Sequence, residues 1–344
     1  MSDLPAFDDS VEEATEVVGS MAPGSFFGDR FRLEGSLGAG AMGAVFHATD
    51  LRHDEHPVAL KVMLKSSKDA EARQRFEREY KALSAIKHIG IVDIYGFGYD
   101  ASRRMPWLAM EKLDGETLRG CIKRKGALEP RRVALIVGNV ADALEAAHAK
   151  GVIHRDLKPD HIFLIGKSGK VKIIDFGLSL VRDSKKLTAT GTVIGTPRYM
   201  APEQIASAHA ATEAADVYAL GVVAYEALVG DSPFVASDQG QLLGAILAGR
   251  RKPLLEARPE LSQELEDVLN KAMAPLVADR YQTPGEFASA FMTATGLSPK
   301  RRRQRSKLSP GSIGAPKNYY LWLAFGAVMS AVLSAALTYW LTRG

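Results

Sequence analysis

The 344-residue chain predicts an α+β fold built as a small β-rich part followed by a larger helical part, with one further apolar helix beyond them. Three observations carry this. Short strand-like runs bounded by glycine fill the stretch before residue 113, interrupted by a single helical pattern. Helical patterns dominate from Pro130 onward. Residues 319–341, YYLWLAFGAVMSAVLSAALTYWL, form an uncharged run of the length a membrane-spanning helix needs.

Residues 1–27 are acidic and sparse in large apolar side chains, which predicts a disordered arm. Phe31–Gly35 and Ala44–Ala48 flank a Gly-rich turn and predict a hairpin. Pro57–Leu64 is a third strand. In Asp69–Lys87, Phe76, Tyr80 and Leu83 recur at helical spacing. Trp107–Leu113 is strand-like again, and so is Val171–Ile174. Arg131–Lys150 is an amphipathic helix with Gly151 as its stop signal. The globular unit spans 28–295. Residues 296–318, rich in Pro, Gly, Ser and basic side chains, form a linker to the apolar segment, and 342–344 are a short tail.

Composition narrows the function. The net charge of +4 gives nucleic-acid binding no support. A single cysteine, Cys121, excludes an intramolecular disulfide and a Cys-based zinc site, and the scattered histidines contain no HExxH pair. The N-terminus lacks both the basic start and the apolar run of a secretory signal.

The chemistry-bearing residues come in order along the chain. Gly38, Gly40, Gly43 and Val45 make G-x-G-x-x-G-x-V, a loop whose backbone can approach phosphates closely. A dinucleotide-binding loop would open a helix; this one runs into a strand. Lys61 lies on the apolar run Val58–Lys61, placed to meet nucleotide phosphates, and needs a carboxylate. Glu79 fits better than Glu77, because it borders the helix face set by Phe76, Tyr80 and Leu83. Then follow His154-Arg-Asp-Leu-Lys-Pro-Asp-His161, Asp175-Phe-Gly177, Gly195-Thr-Pro-Arg-Tyr-Met-Ala-Pro-Glu203, Asp216 and Arg280.

Over residues 28–295 these motifs resemble, in order and spacing, the signatures of protein kinases: Gly-rich loop, V-A-x-K, H-R-D, D-F-G and A-P-E. The resemblance implies the two-lobed kinase fold, with one helix in a β-rich N-lobe. It also implies a set of roles in phosphoryl transfer. Gly38, Gly40 and Gly43 cover the phosphates of ATP, and Lys61 orients them while paired to Glu79. Asp175 holds Mg2+, Asp156 accepts the substrate proton, and Lys158 neutralises the transferred group. Met110 backs the adenine pocket, Glu111–Leu113 form the hinge, and Leu37, Val45 and Ala59 complete the ATP-binding set. Arg155, Glu203, Asp216 and Arg280 are structural, the second and fourth as an ion pair, while Asp216 braces the His154–Asp156 backbone. Lys158 and Thr196 match the serine/threonine branch, so the substrates are proteins carrying Ser or Thr. GAGAMGAVF and GTPRYMAPEQ are similar to bacterial kinases of the eukaryotic type. In those, Thr188 and Thr190 correspond to phosphorylated activation-loop positions, with Thr192 beside them.

One position departs from the motif. Where H-R-D-x-x-x-x-N has asparagine, this chain has His161. An imidazole nitrogen replaces a hard carbonyl oxygen as the donor to the second metal. Three consequences are open: weaker catalysis, a preference moved toward Mn2+, or a pseudokinase that binds ATP as a scaffold. With every other catalytic position intact, a tolerated substitution in an active enzyme is the plainer expectation.

At about 1.5 Å per residue the apolar segment spans roughly 35 Å, enough to cross a bilayer core. Tyr319, Tyr320 and Trp322 at one end and Tyr339 and Trp340 at the other suit its interfaces. The basic run 300–307 places the N-terminal side in the cytoplasm, against anionic lipid. The expected location is the inner (plasma) membrane, single-pass, with the globular unit cytoplasmic. Gly326, Ser330 and Ser334 line one stripe on which two copies could pair as a homodimer.

Overall fold

The computed structural model describes residues 21–40, 43–63, 77–78, 80–100, 102–103, 105–166, 169–176, 197–207 and 211–298. Its first part is a six-stranded antiparallel sheet in the order β1-β2-β3-β4-β6-β5. The strands are β1 (Phe26–Phe27), β2 (Phe31–Gly40), β3 (Gly43–Asp50), β4 (His56–Met63), β5 (Ile94–Asp100) and β6 (Met105–Glu111). The fold begins earlier than composition suggests. Phe26 and Phe27 pair with Arg32 and Phe31, and Met21 and Phe27 are buried. Residues 21–27, assigned from composition to a disordered arm, therefore belong to the folded unit. A few buried apolar side chains, each contributing about 1.5–3 kcal/mol, outweigh the polar character of their neighbours.

Strand alternation divides the sheet's two faces. Val58, Leu60 and Val62 of β4 join Phe31, Leu33 and Phe46 in an outer cluster. Ala59 and Met63 face the other way, with Leu108 and Met110 of β6, into the core that continues into the second part. Lys61 shares their face by the period of two. Tyr80 and Leu83, from a helical stretch through residues 80–84, pack there as well, while Glu77 is exposed. Phe76 and Glu79 lie outside the described residues.

The second part is helical: α1 (Leu118–Lys125), α2 (Pro130–His148), α3 (Pro202–Ala206), α4 (Glu213–Val229), α5 (Gln239–Leu247), α6 (Leu254–Ala257), α7 (Gln263–Ala272) and α8 (Pro284–Ala294). Thr117 caps α1 by accepting a hydrogen bond from the Gly120 amide. Proline opens α2, and Gly151 at φ +73° turns the chain away after it. Every residue of α4 from Ala214 to Leu228 is buried, so this helix is the axis of the lobe. A three-stranded sheet, β7 (Gly115–Thr117), β8 (Ile162–Ile165) and β9 (Lys170–Ile173), lies at the junction. Ile173 pairs in parallel with Ile91, and its carbonyl accepts from the Val92 amide at 3.0 Å, tying the two parts together.

Among the described residues no helix is long and apolar enough to cross a membrane. The basic run 300–307 and the segment 319–341 lie outside them.

Arg280 shows how the helical lobe closes. Its fully buried guanidinium meets Glu203 in two parallel hydrogen bonds of 2.8 and 2.7 Å. It also donates to the carbonyls of Ala214, Ala274 and Pro275. Arg280→Ala strands Glu203 and three carbonyls, and should destabilise the lobe by about 3–5 kcal/mol. Urea unfolding of the full chain, followed by helical circular dichroism, measures the loss.

Candidate active site

The site begins with the loop between α2 and β8, which carries His154–His161. Asp216 of α4 accepts hydrogen bonds from the backbone amides of His154 and Arg155, both at 2.9 Å, and from His148 Nε2 at 2.7 Å. Arg155 sits at φ +65°, a left-handed conformation costing a non-glycine residue about 1–2 kcal/mol. It is held on both sides, because Gln204 Nε2 also donates to its carbonyl at 2.9 Å. His154 is fully buried against Phe176, with ring centroids 4.8 Å apart, and that burial lowers its pKa.

Asp156 follows, with Lys158 Nζ 3.2 Å from its Oδ2. The turn Pro159–His161 brings the chain back, so that His161 Nδ1 lies 2.8 Å from the Asp156 carbonyl oxygen. A carbonyl only accepts, so Nδ1 carries the proton and Nε2 presents its lone pair. Nε2 lies 3.8 Å from Asp175 Oδ2. Burial pushes His161 down to about 4, and His154 and Lys158 add to this against the opposing pull of Asp175. The imidazole is neutral at pH 7.

Asp175 stands two residues beyond β9. Lys61 Nζ donates to its Oδ2 at 2.7 Å across the junction of the two parts. Burial alone would raise the Asp175 pKa; Lys61 and His161 outweigh it and hold the carboxyl below its usual range. Lys61, Asp175, His161, Asp156 and Lys158 thus lie side by side from the β-sheet lobe to the helical lobe, hydrogen-bonded except across the 3.8 Å between Asp175 and His161.

Above it lies the Gly-rich hairpin. Gly43 has φ +157°, and a Cβ there would fall 2.2 Å from the Val62 carbonyl oxygen, so only glycine fits. A register shift between Ser36 and Gly38 bends β2, and Gly40 pairs with Gly43. Leu37 is exposed and Val45 half-buried, while Ala59 and Met110 are buried partners across β4 and β6. Met110 lines a small cavity with Tyr80, Leu83, Leu108, Asp175 and Phe176. The Glu111 side chain turns away to an ion pair with Lys172, and its amide donates to the Asp93 carbonyl at 2.9 Å. Leu113 is half-buried in the connection between lobes. Glu79, Thr188, Thr190, Thr192 and Thr196 lie outside the described residues.

A divalent cation fits the residues present. The Asp175 carboxylate and the bare His161 Nε2 converge from two elements. Among the described residues no set of three or more His, Cys, Asp or Glu side chains could hold a metal alone. That suits a cation whose remaining ligands are phosphate oxygens and water.

One cluster escaped the sequence. Arg119 of α1 donates to Asp160 at 3.2 Å and also binds Glu226 of α4 and the Tyr199 hydroxyl. Tyr199 in turn donates to Glu226 at 2.5 Å. The available signal was Glu226 itself, a charge within the apolar run of α4; nothing local marks Arg119 as its partner.

The two lobes, the glycine hairpin over a buried lysine, and the aspartates of loop and strand end define a protein kinase domain. The protein kinase domain family model matches residues 31–292, and the chain belongs to that family. It is similar to serine/threonine-protein kinase PknA of Mycobacterium tuberculosis, 36% identical over 280 residues, which is 80% of this chain and 64% of PknA. It is also similar to serine/threonine-protein kinase Pkn1 of Myxococcus xanthus, 38% identical, covering 82% of this chain and 40% of Pkn1. The chain thus spans less than two thirds of these relatives. Among solved structures, the M. tuberculosis PknI kinase domain superposes with a TM-score of 0.63 at 28% identity, over 79% of this chain and 99% of that one. A structure of Rad53 residues 1–466 in complex with AMP-PNP gives 0.64 at 26% identity, over 76% and 64%.

Asp216→Asn tests the brace. One of the acceptor oxygens becomes a donor, so the His154 and Arg155 amides should exchange hydrogen at least about tenfold faster, matching the loss of one buried hydrogen bond. Exchange mass spectrometry on peptides covering 152–158 reads this directly.

Proposed function

We propose that the chain transfers the γ-phosphoryl group of ATP to serine and threonine hydroxyls of proteins. The observation that carries this is the convergence of Lys61, Asp175, His161, Asp156 and Lys158 beside the glycine hairpin. Phosphoryl transfer needs positioning and charge neutralisation, and these groups supply both. Asp156 accepts the proton of the attacking hydroxyl. The Lys158 ammonium, already beside it, offsets charge on the group in transit. Lys61 anchors the α/β-phosphates, and the Gly38–Gly43 backbone closes over them. Asp175, with His161 beside it, would hold a divalent ion, Mg2+ or Mn2+, which when bound would supply charge neutralisation to the phosphates. PknA and Pkn1 carry serine/threonine-kinase names and Rad53 was solved with an ATP analogue, which supports the same substrates here. Lys158 and Thr196 support Ser and Thr over Tyr as acceptors.

The reading extends to the rest of the chain. Residues 319–341 anchor the domain at the cytoplasmic face of the inner membrane, with 300–307 on anionic lipid. The Gly326–Ser334 stripe brings two copies together. Thr188 and Thr190 are phosphorylated in trans, ordering the loop between Asp175 and Glu203 near Arg155.

Asp156→Asn in the full chain should cut phosphate transfer by about 10²–10⁴-fold while AMP-PNP still binds. Wild type incubated with ATP should gain phosphate on Thr188 or Thr190 by mass spectrometry, and the variant should not. Nucleotide binding without transfer in the wild type would make the chain a scaffold instead. Deleting 319–344 should move the protein from the membrane to the soluble fraction on cell fractionation.

A further inference from the structure

We propose that His161 is a direct nitrogen ligand of the metal ion held by Asp175, and that this chain therefore selects a first-row transition dication such as Mn2+ over Mg2+. The inference rests on the kinase reading, since the ion accompanies the nucleotide.

Three features point to it. The first is the tautomer. The hydrogen bond from Nδ1 to the Asp156 carbonyl, at 2.8 Å, commits the ring proton to that side and leaves Nε2 as a lone pair. A metal-ligating histidine almost always donates its other N–H to a carbonyl or carboxylate in this way, which orients the ring and raises its donor strength. The second is the confrontation of two acceptors. Nε2 faces Asp175 Oδ2 at 3.8 Å, and no hydrogen-bond donor reaches Nε2 among the described residues. The Lys61 ammonium compensates the carboxylate but, among the described residues, leaves the imidazole lone pair without a partner. A single cation held by both atoms would satisfy the two facing acceptors. A carboxylate has enough lone pairs to keep Lys61 as well. The third is rigidity. The ring is only 12% exposed, it stacks on His154 with centroids 5.7 Å apart, and it is carried on a turn begun by Pro159.

The donor set then decides the ion. An oxygen from Asp175 and a nitrogen from His161 suit ions of borderline softness, whose affinity for nitrogen rises along the first row. Mg2+ prefers oxygen donors and water. An asparagine at 161 would offer oxygen and remove the selection.

The test uses the full chain in detergent with AMP-PNP and Mn2+. Pulsed electron paramagnetic resonance of wild type should show nitrogen coupled to manganese. Labelling only histidine with 15N should change that coupling to the 15N pattern. In His161→Asn the coupling should vanish, Mn2+ affinity should fall about tenfold, and the Mn2+/Mg2+ ratio of turnover should fall with it. Manganese that binds with nucleotide and supports transfer, yet shows no histidine coupling, overturns the ligation and leaves the kinase reading standing. A wild type that neither binds nucleotide with manganese nor transfers phosphate overturns both. The labelling comparison needs only the wild-type sequence, so it decides the question even if the substitution disturbs folding.

Discussion

A carboxylate buried in the first turn of an apolar helix is the constraint on which the segment His154–His161 depends. Asp216 is 1% exposed within α4, whose residues from Ala214 to Leu228 are all buried. An uncompensated charge there would cost several kcal/mol, so donors must come to it. They come from His148 at the end of α2 and from the amides of His154 and Arg155. Those two amides can point at one carboxylate only if the chain bends sharply. The bend is the left-handed conformation of Arg155, and it presents Asp156 immediately afterwards.

The same logic operates across the junction of the lobes. Lys61 is 7% exposed on a strand both of whose faces are covered, so its ammonium also needs a carboxylate. Asp175 supplies it from the other lobe. Around this contact Met110, Tyr80 and Phe176 give an apolar setting in which the attraction is less screened than in water. The lobes are therefore registered by this ion pair within a hydrophobic seam and by the Glu111–Lys172 and His88–Asp142 contacts, and the strand pairing of Ile91 with Ile173 fixes the same register through the backbone.

How far the sequence reveals this depends on the range of the signal. Local periodicity placed the hairpin, β4, β6, β9 and α2 within a few residues, because strand alternation and helical stripes are written in neighbouring side chains. It underestimated β2 and β3, which run on to Gly40 and from Gly43, because glycines read as turn residues even when they are paired. It carried Trp107–Leu113 past the end of β6 at Glu111, where the chain leaves the sheet for the helical lobe. The motifs named Lys61, Asp156 and Asp175, but the contacts that join them through His161 depend on the turn at 159–161. Glu111 and Lys172 are 61 residues apart, and nothing in either neighbourhood announces the pair.

Arg119 extends the principle set by Asp216. Glu226 is the second carboxylate buried in α4, ten positions beyond Asp216 and so about 15 Å further along the axis. Its charge is met by the Arg119 guanidinium and the Tyr199 hydroxyl. Burial raises the Tyr199 pKa, and Glu226 raises it further, so the phenol stays protonated and donates. Arg119 also reaches Asp160, four residues beyond Asp156. The two buried charges of one helix thus hold the two ends of one loop: Asp216 takes the backbone at 154 and 155, and Glu226, through Arg119, takes the side chain at 160. Asp156 and Lys158 lie between these fixed ends. A rigid helix spaced by its own rise serves as the rail along which the loop 154–160 is stretched, so displacing Asp156 requires breaking the buried contacts to Asp216 at one end or the half-exposed Arg119–Asp160 pair at the other.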